Sequence, residues 1–251
     1  MRAAEGGGGV HTRGGRGRRD RRAGGPQAEV EGRAGRRGCR QEGEEGGGPA
    51  GQGRQEGEEG ITPAPRIIVG LGNPGPRYAG TRHNAGWEVV ERLSRRWGIS
   101  LSERCCRSRS GTGSVEGQGI RLVQPETFMN DSGEAVRCLA ERFSAPPEGF
   151  LIILDDAALP LGTVRVRGDG SAGGHNGLQS VLDALATDRI PRLRVGVAGD
   201  APLPADLTDF VLGPFRPEEA DAVEAGLARA EAAAVCWAAE GLEQAMNRFN
   251  G

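Results

Sequence analysis

The sequence contains no lysine; all 32 of its Lys and Arg positions are arginine. With abundant Gly and Ala, that bias points to GC-rich coding rather than to a special chemistry. The formal net charge of −2 offers no global attraction for nucleic acid, so any contact with RNA has to come from local patches. There is no run of about 18 apolar residues able to cross a membrane, and no apolar signal-peptide core near Met1. The five cysteines are odd in number and form no CxxC pair, which argues against a disulfide framework and a zinc site and favours a reducing cytoplasm. Histidine is scarce, with His11, His83 and His175 alone, and Tyr78 is the single tyrosine.

Large apolar side chains are nearly absent from residues 1–60, which are about one-third glycine, Arg-rich as far as Arg40 and Glu-rich after it. Such a composition cannot offset the entropy of ordering the chain. Residues 1–65 are therefore expected to be a disordered extension, and residues 66–250 a single domain large enough for a substantial core. The mixed charges favour a solvated tail over a nucleic-acid-binding one. Acidic runs and the lack of any serine disfavour an organellar leader, and a misplaced start codon is a third reading beside the solvated tail.

Beyond the extension, periodicity alternates between strands and helices. Arg66 to Leu71 is a β-branched run ending at Gly72, Ile120 to Val123 alternates, Phe150 to Leu154 is apolar throughout, and Thr163 to Arg167 and Leu193 to Val197 read as further strands. Helical spacing appears from Asn84 to Trp97, after a capping Ser132, from near His175, and from Pro217 to Glu240. Phe210 to Leu212 reads as a short strand. Strands alternating with helices predict an α/β sandwich, with a mixed β-sheet flanked by helices.

Polar residues embedded in these apolar or Gly-rich blocks mark the candidate site. Asn73 follows the first strand, where ligands of open α/β sheets gather. His83 lies at a loop-to-helix junction, Asn130 in a loop before a helix, and Asn176 near a helix start, while Asp155 and Asp156 end a core strand where burial has to be justified. One base, one acid and three carboxamides can together move a proton and hold a neutral substrate by directional hydrogen bonds. Alone, each Asn is more often a turn residue, His83 a surface histidine and Asp155 a turn cap, so the inference depends on the set. Phe128 and Met129 could line a pocket or anchor a buried loop, and Tyr78 could form the rim. The GLGNPG segment is not a dinucleotide fingerprint, because Pro74 and Pro76 interrupt the turn into a helix that such a site requires.

The blocks IIVGLGNPGPRYAGTRHNAG, QPETFMNDSG, LIILDDAALPLG and GSAGGHNGLQS, in this order from about Arg66 to about Phe249, resemble those of bacterial-type peptidyl-tRNA hydrolases. The resemblance implies hydrolysis of the ester between a peptide and the 3′ ribose of tRNA, by a monomer that needs no metal or cofactor. It implies His83 as general base on the attacking water and Asp155 as its partner acid. Asn73, Asn130 and Asn176 would hold the peptide backbone, with Tyr78 and Phe128 beside them. Arg167 and Arg194 fall where the family clamps the tRNA 5′-phosphate, and Arg82, Arg165 and Arg192 could widen that patch. The Gly-rich segment 168–174 would be a gate. Where the family usually has a polar residue before its Leu-Pro, this chain has Ala158, which puts support of the pocket in doubt more than the base itself. An alternative is a non-catalytic RNA-binding relative of the same fold, and another is an esterase of small substrates that would not need Arg167 and Arg194.

Overall fold

The computed structural model describes residues 65–200 and 202–250, which fall within one compact unit. The expected disordered extension lies outside the described residues, apart from Pro65.

Seven strands, β1 (Arg66–Gly70), β2 (Glu103–Cys105), β3 (Ser108–Val115), β4 (Gln118–Pro125), β5 (Phe150–Pro160), β6 (Val164–Arg167) and β7 (Arg192–Ala198), form one mixed sheet in the order β2-β3-β4-β1-β5-β7-β6. The four central strands, β4, β1, β5 and β7, run parallel, and the antiparallel β2–β3 hairpin and β6 complete the two edges. The helices are α1 (Ala85–Trp97), α2 (Ser132–Phe143), α3 (Asn176–Leu185), α4 (Thr208–Leu212), α5 (Ala220–Glu240) and α6 (Leu242–Phe249). The expected α/β sandwich with helices flanking a mixed sheet is what forms.

The alternation along β1 assigns its two faces. Ile68 packs with Val89, Val90 and Leu93 of α1 and with α5, whereas Ile67 and Val69 pack with Val136 and Leu139 of α2 and Leu178 and Val181 of α3. Fully buried strands explain the continuous apolar runs Ile67 to Val69 and Phe150 to Leu154. From the end of β1 the chain passes to β4 on one side and later to β5 on the other, which leaves a crevice beyond the C-terminal end of β1. The start of α1 is pressed against this end: a Cβ on Gly70 would lie 2.2 Å from the Gly86 carbonyl oxygen, so only glycine permits the approach.

Several local expectations are corrected. Ser132 is not a cap; its hydroxyl is buried and donates back to the Met129 carbonyl at 2.8 Å, inside the turn that leads into α2. The apolar triplet Phe210 to Leu212 belongs to the short helix α4 rather than to a strand, a distinction that three residues cannot carry in sequence. The β2–β3 hairpin and α6 went unread because Ser, Arg and Gly dominate the first and the second is only two turns long. Two cysteines are paired after all. Cys106 at the hairpin turn and Cys138 on α2 form a disulfide across 32 residues, with Cα atoms 5.5 Å apart, while Cys105 and Cys236 are free. That separation falls outside any motif of closely spaced cysteines; the packing of the hairpin on α2 creates the pair.

Candidate active site

Beyond the C-terminal end of β1, and against residues 154–158 within β5, lies a cavity of about 380 Å³. Asn73, Tyr78, His83, Phe128, Asn130, Asp155, Asn176 and Arg194 all line it, so the expected catalytic and peptide-binding residues share one space. Arg167 does not; it is exposed near the end of β6, opposite Arg192 of β7.

His83 and Asp155 form its polar centre. His83 sits in a single 3-10 turn (Arg82–Asn84) leading into α1, and its Nδ1 lies 2.8 Å from Asp155 Oδ1. Asp155 lies within β5 rather than at its end, and is 2 % exposed. Burial alone would push its carboxyl up. The imidazoles of His175 and His83, by charge and by hydrogen bonds, outweigh burial and hold it well below the ordinary carboxylate range. With Asp155 ionised, His83 Nδ1–H donates to it, and Nε2 is the ring nitrogen left without a protein partner among the described residues.

His175 is the residue that sequence reasoning left without a role. It is the N-cap of α3, reached through Gly173 and Gly174, both at positive φ. Its Nδ1 accepts the Leu178 N–H at 3.1 Å, so the ring proton is on Nε2, 3.0 Å from the same Asp155 Oδ1. The two imidazole centroids are 4.9 Å apart. A histidine directly before Asn176 in a Gly-rich stretch was the available signal, but only the fold carries it to Asp155.

Two histidines and a carboxylate, with one ligand atom each lying within 4.8 Å of the others, also raise the question of a metal. A cation on His175 Nε2 would require the proton on Nδ1, where the Leu178 N–H already points. Two donors would then face each other. The set fits shared protons better than a metal ion.

The carboxamides are built in unequally. Asn73 is buried, and its backbone N–H and C=O are both taken by the Asn84 side chain, at 2.8 and 3.1 Å. Its own Oδ1 accepts the Met129 N–H at 2.8 Å, which turns its amide NH₂ group away from that contact as a free donor. One residue thus pins the loop after β1 to the loop before α2. Nothing in the sequence marks Asn84, whose partner Asn73 is 11 residues away and is met only in the fold. Asn130 and Asn176 are exposed at the cavity, Asn130 donating to the Asp131 carboxylate at 2.9 Å. Met129 is buried as a loop anchor, and Phe128 remains 55 % exposed on the rim.

The arginines divide by burial. Arg194 Nη2 is 2.8 Å from Asp156 Oδ2, in an ion pair at the cavity wall. Arg192 is fully buried and donates to the Gly170 and Asp188 carbonyls at 2.6 and 2.9 Å, which ties down the Gly-rich segment instead of widening a basic patch. Arg82 is also buried, paired with Glu219 at 2.6 Å. Neither is available to RNA. Arg165 is half-buried opposite Arg194 on the β6–β7 ladder.

Comparison with known proteins gives a consistent answer. A family model described as peptidyl-tRNA hydrolase matches residues 67–251. The peptidyl-tRNA hydrolase of Synechococcus sp. (strain JA-3-3Ab) is 49 % identical over 186 residues, covering 74 % of this chain and 82 % of that protein. The peptidyl-tRNA hydrolase of Halalkalibacterium halodurans is 43 % identical over 186 residues, covering 74 % of this chain and all of that protein. A crystal structure of peptidyl-tRNA hydrolase from Acinetobacter baumannii superposes with a TM-score of 0.69 at 35 % identity, covering 75 % of this chain and 95 % of that one.

Proposed function

The chain belongs to the peptidyl-tRNA hydrolase family and is an enzyme of that activity, and from that premise we propose how its residues perform the hydrolysis. His83 Nε2 takes a proton from a water in the cavity as that water attacks the ester carbonyl joining peptide to tRNA. Asp155 holds the Nδ1–H tautomer and stabilises the imidazolium formed during attack. The observation that carries this reading is the 2.8 Å contact between His83 Nδ1 and Asp155 Oδ1, which leaves Nε2 as the basic atom of a cavity-lining imidazole.

Asn73, Asn130 and Asn176 bind the backbone amides common to every peptide, an interaction indifferent to side chains. The Asn73 amide NH₂ is the donor best placed for the developing oxyanion, because its carbonyl oxygen is already occupied by Met129. Phe128 and Tyr78 flank the acyl group, and Arg194 with Arg167 takes the tRNA phosphate. The chemistry falls to protein groups alone, without metal or cofactor. Ala158 lines the cavity and takes no part in the contact between His83 and Asp155.

A monomer is the proposed acting form. Among the described residues no helix is long and apolar enough to cross a membrane. The tRNA substrate favours the cytoplasm as the working compartment, in recycling tRNA after aborted translation. The decisive test is release of peptide from an N-acetylated aminoacyl-tRNA by the wild type and by His83→Ala. Turnover should fall by at least about 100-fold with tRNA affinity nearly intact. Equal loss of binding would overturn the assignment of the base.

A further inference from the structure

The outer wall of the cavity is α4, a five-residue helix that contributes Thr208, Val211 and Leu212 to the lining yet has no buried residue of its own. A helix this short cannot hold its position by intrinsic propensity, so its anchor has to come from elsewhere. That anchor is Arg82. Its backbone N–H donates to the Gly213 carbonyl at 3.1 Å, and the neighbouring Thr81 pairs with Pro214 in an isolated antiparallel bridge. The side chain then enters the segment that follows α4. Nη1 donates to the Pro214 carbonyl, Nη2 binds Glu219 Oε2 at 2.6 Å, and the guanidinium lies between Phe210 and Phe215, 4.6 and 4.9 Å from their ring centroids.

Glu219 is buried and is braced from the other side by the Arg216 backbone N–H and guanidinium, at 2.7 and 3.1 Å. The guanidinium plane therefore makes two aromatic contacts, a carbonyl bond and a charge pair at once. A lysine ammonium could not do all of these. On the other side of one peptide bond from Arg82 is His83.

We infer that Arg82 is a positioning residue which sets the α4 wall against the catalytic base, so that the space for the acyl group of the ester depends on a side chain that never meets the substrate. This rests on the hydrolase reading and extends it. A shift of about 1 Å between base and bound ester can reduce a rate by about 100-fold, so a loosened wall has a kinetic signature. The arrangement also separates Arg82 from the RNA-binding arginines, since it is 5 % exposed and its charge is already paired.

The test compares wild type, Arg82→Lys, Arg82→Met and Glu219→Gln on N-acetyl-aminoacyl-tRNA and on the corresponding N-acetyl-aminoacyl adenosine ester, well below each protein's Tm. For Arg82→Lys and Arg82→Met, kcat/KM should fall about 10-fold or more on both substrates, with KM rising and the salt dependence of tRNA binding unchanged. Glu219→Gln keeps the shape and the acceptor for Arg216 while removing the charge partner, so it should show a smaller loss of the same kind. Loss confined to the tRNA substrate, with a shallower salt slope, would make Arg82 an RNA contact and overturn the inference. Folded variants with a lower Tm and unchanged kcat and KM would also overturn it, as would unfolded Arg82 variants beside a kinetically normal Glu219→Gln. Failure of the wild type to hydrolyse either substrate would instead count against the hydrolase reading itself.

Discussion

His175 and Asp155 meet through a single oxygen: His175 Nε2–H donates to Asp155 Oδ1 at 3.0 Å, the same atom that takes the His83 Nδ1–H at 2.8 Å. The carboxylate that orients the base is therefore itself held from a third element, and the cap contact from Leu178 fixes the tautomer that holds it. In the proposed mechanism the orientation of His83 therefore rests in part on His175.

Replacing His175 by alanine should lower kcat by about 10-fold, less than loss of the base, because Asp155 keeps one of its two donors. His175→Gln carries an amide N–H that can reach the carboxylate and should recover part of the loss. Steady-state kinetics of the two variants on N-acetyl-aminoacyl-tRNA check this. Equal defects in both would mean that the donor to Asp155 is not what matters.

Asp155 also links stability to pH. Its carboxyl is held below the ordinary range in the folded protein, chiefly by the His175 and His83 imidazoles acting against burial. On acidification the unfolded chain therefore takes up the proton first, near the ordinary carboxylate value of about 3.9. The stabilisation is present in full above that value and is lost as pH falls towards the depressed folded one. Urea midpoints of wild type and Asp155→Asn should stay separated from neutrality down to about pH 4 and converge only below it. Convergence already between pH 6 and 5 would contradict a depressed carboxyl.

Arg167 and Arg194 should separate in experiment although both were expected to bind phosphate. Arg167 is exposed and Arg194 is paired with the buried Asp156. Arg167→Ala should weaken tRNA binding and reduce the slope of log Kd against log salt by about 1, with no change in Tm. Arg194→Ala should do the same and, by leaving the Asp156 carboxylate without its charge partner and with only the Ala158 N–H on Oδ1, should also cost about 1–3 kcal/mol of stability. Filter binding at several salt concentrations and thermal melts of the same preparations decide it. A stable Arg194→Ala would show that Asp156 does not need the pair.

The sequence by itself determined five of the seven strands, β1, β4, β5, β6 and β7, the helices longer than about two turns and the loops that hold Asn73, His83 and Asn130, because hydrophobic period and turn residues act within a few positions of themselves. It also marked Asp155, since a carboxylate closing the apolar run Phe150 to Leu154 conflicts with burial unless something compensates it. What compensates it was decided only in three dimensions. His175 is 20 residues from Asp155 and Cys106 is 32 from Cys138, while Arg82 and Glu219 are 137 residues apart. None of these pairs leaves a local signal. Whether an arginine faces RNA or closes a buried charge pair follows from which elements pack against it, so Arg82 and Arg192 read as surface residues in the chain and are interior ones in the fold. Local propensity sets the elements and their loops, and the partners of each polar side chain are set by long-range packing, because a buried charge is tolerated only where the fold brings a counter-charge or hydrogen-bond partner to meet it.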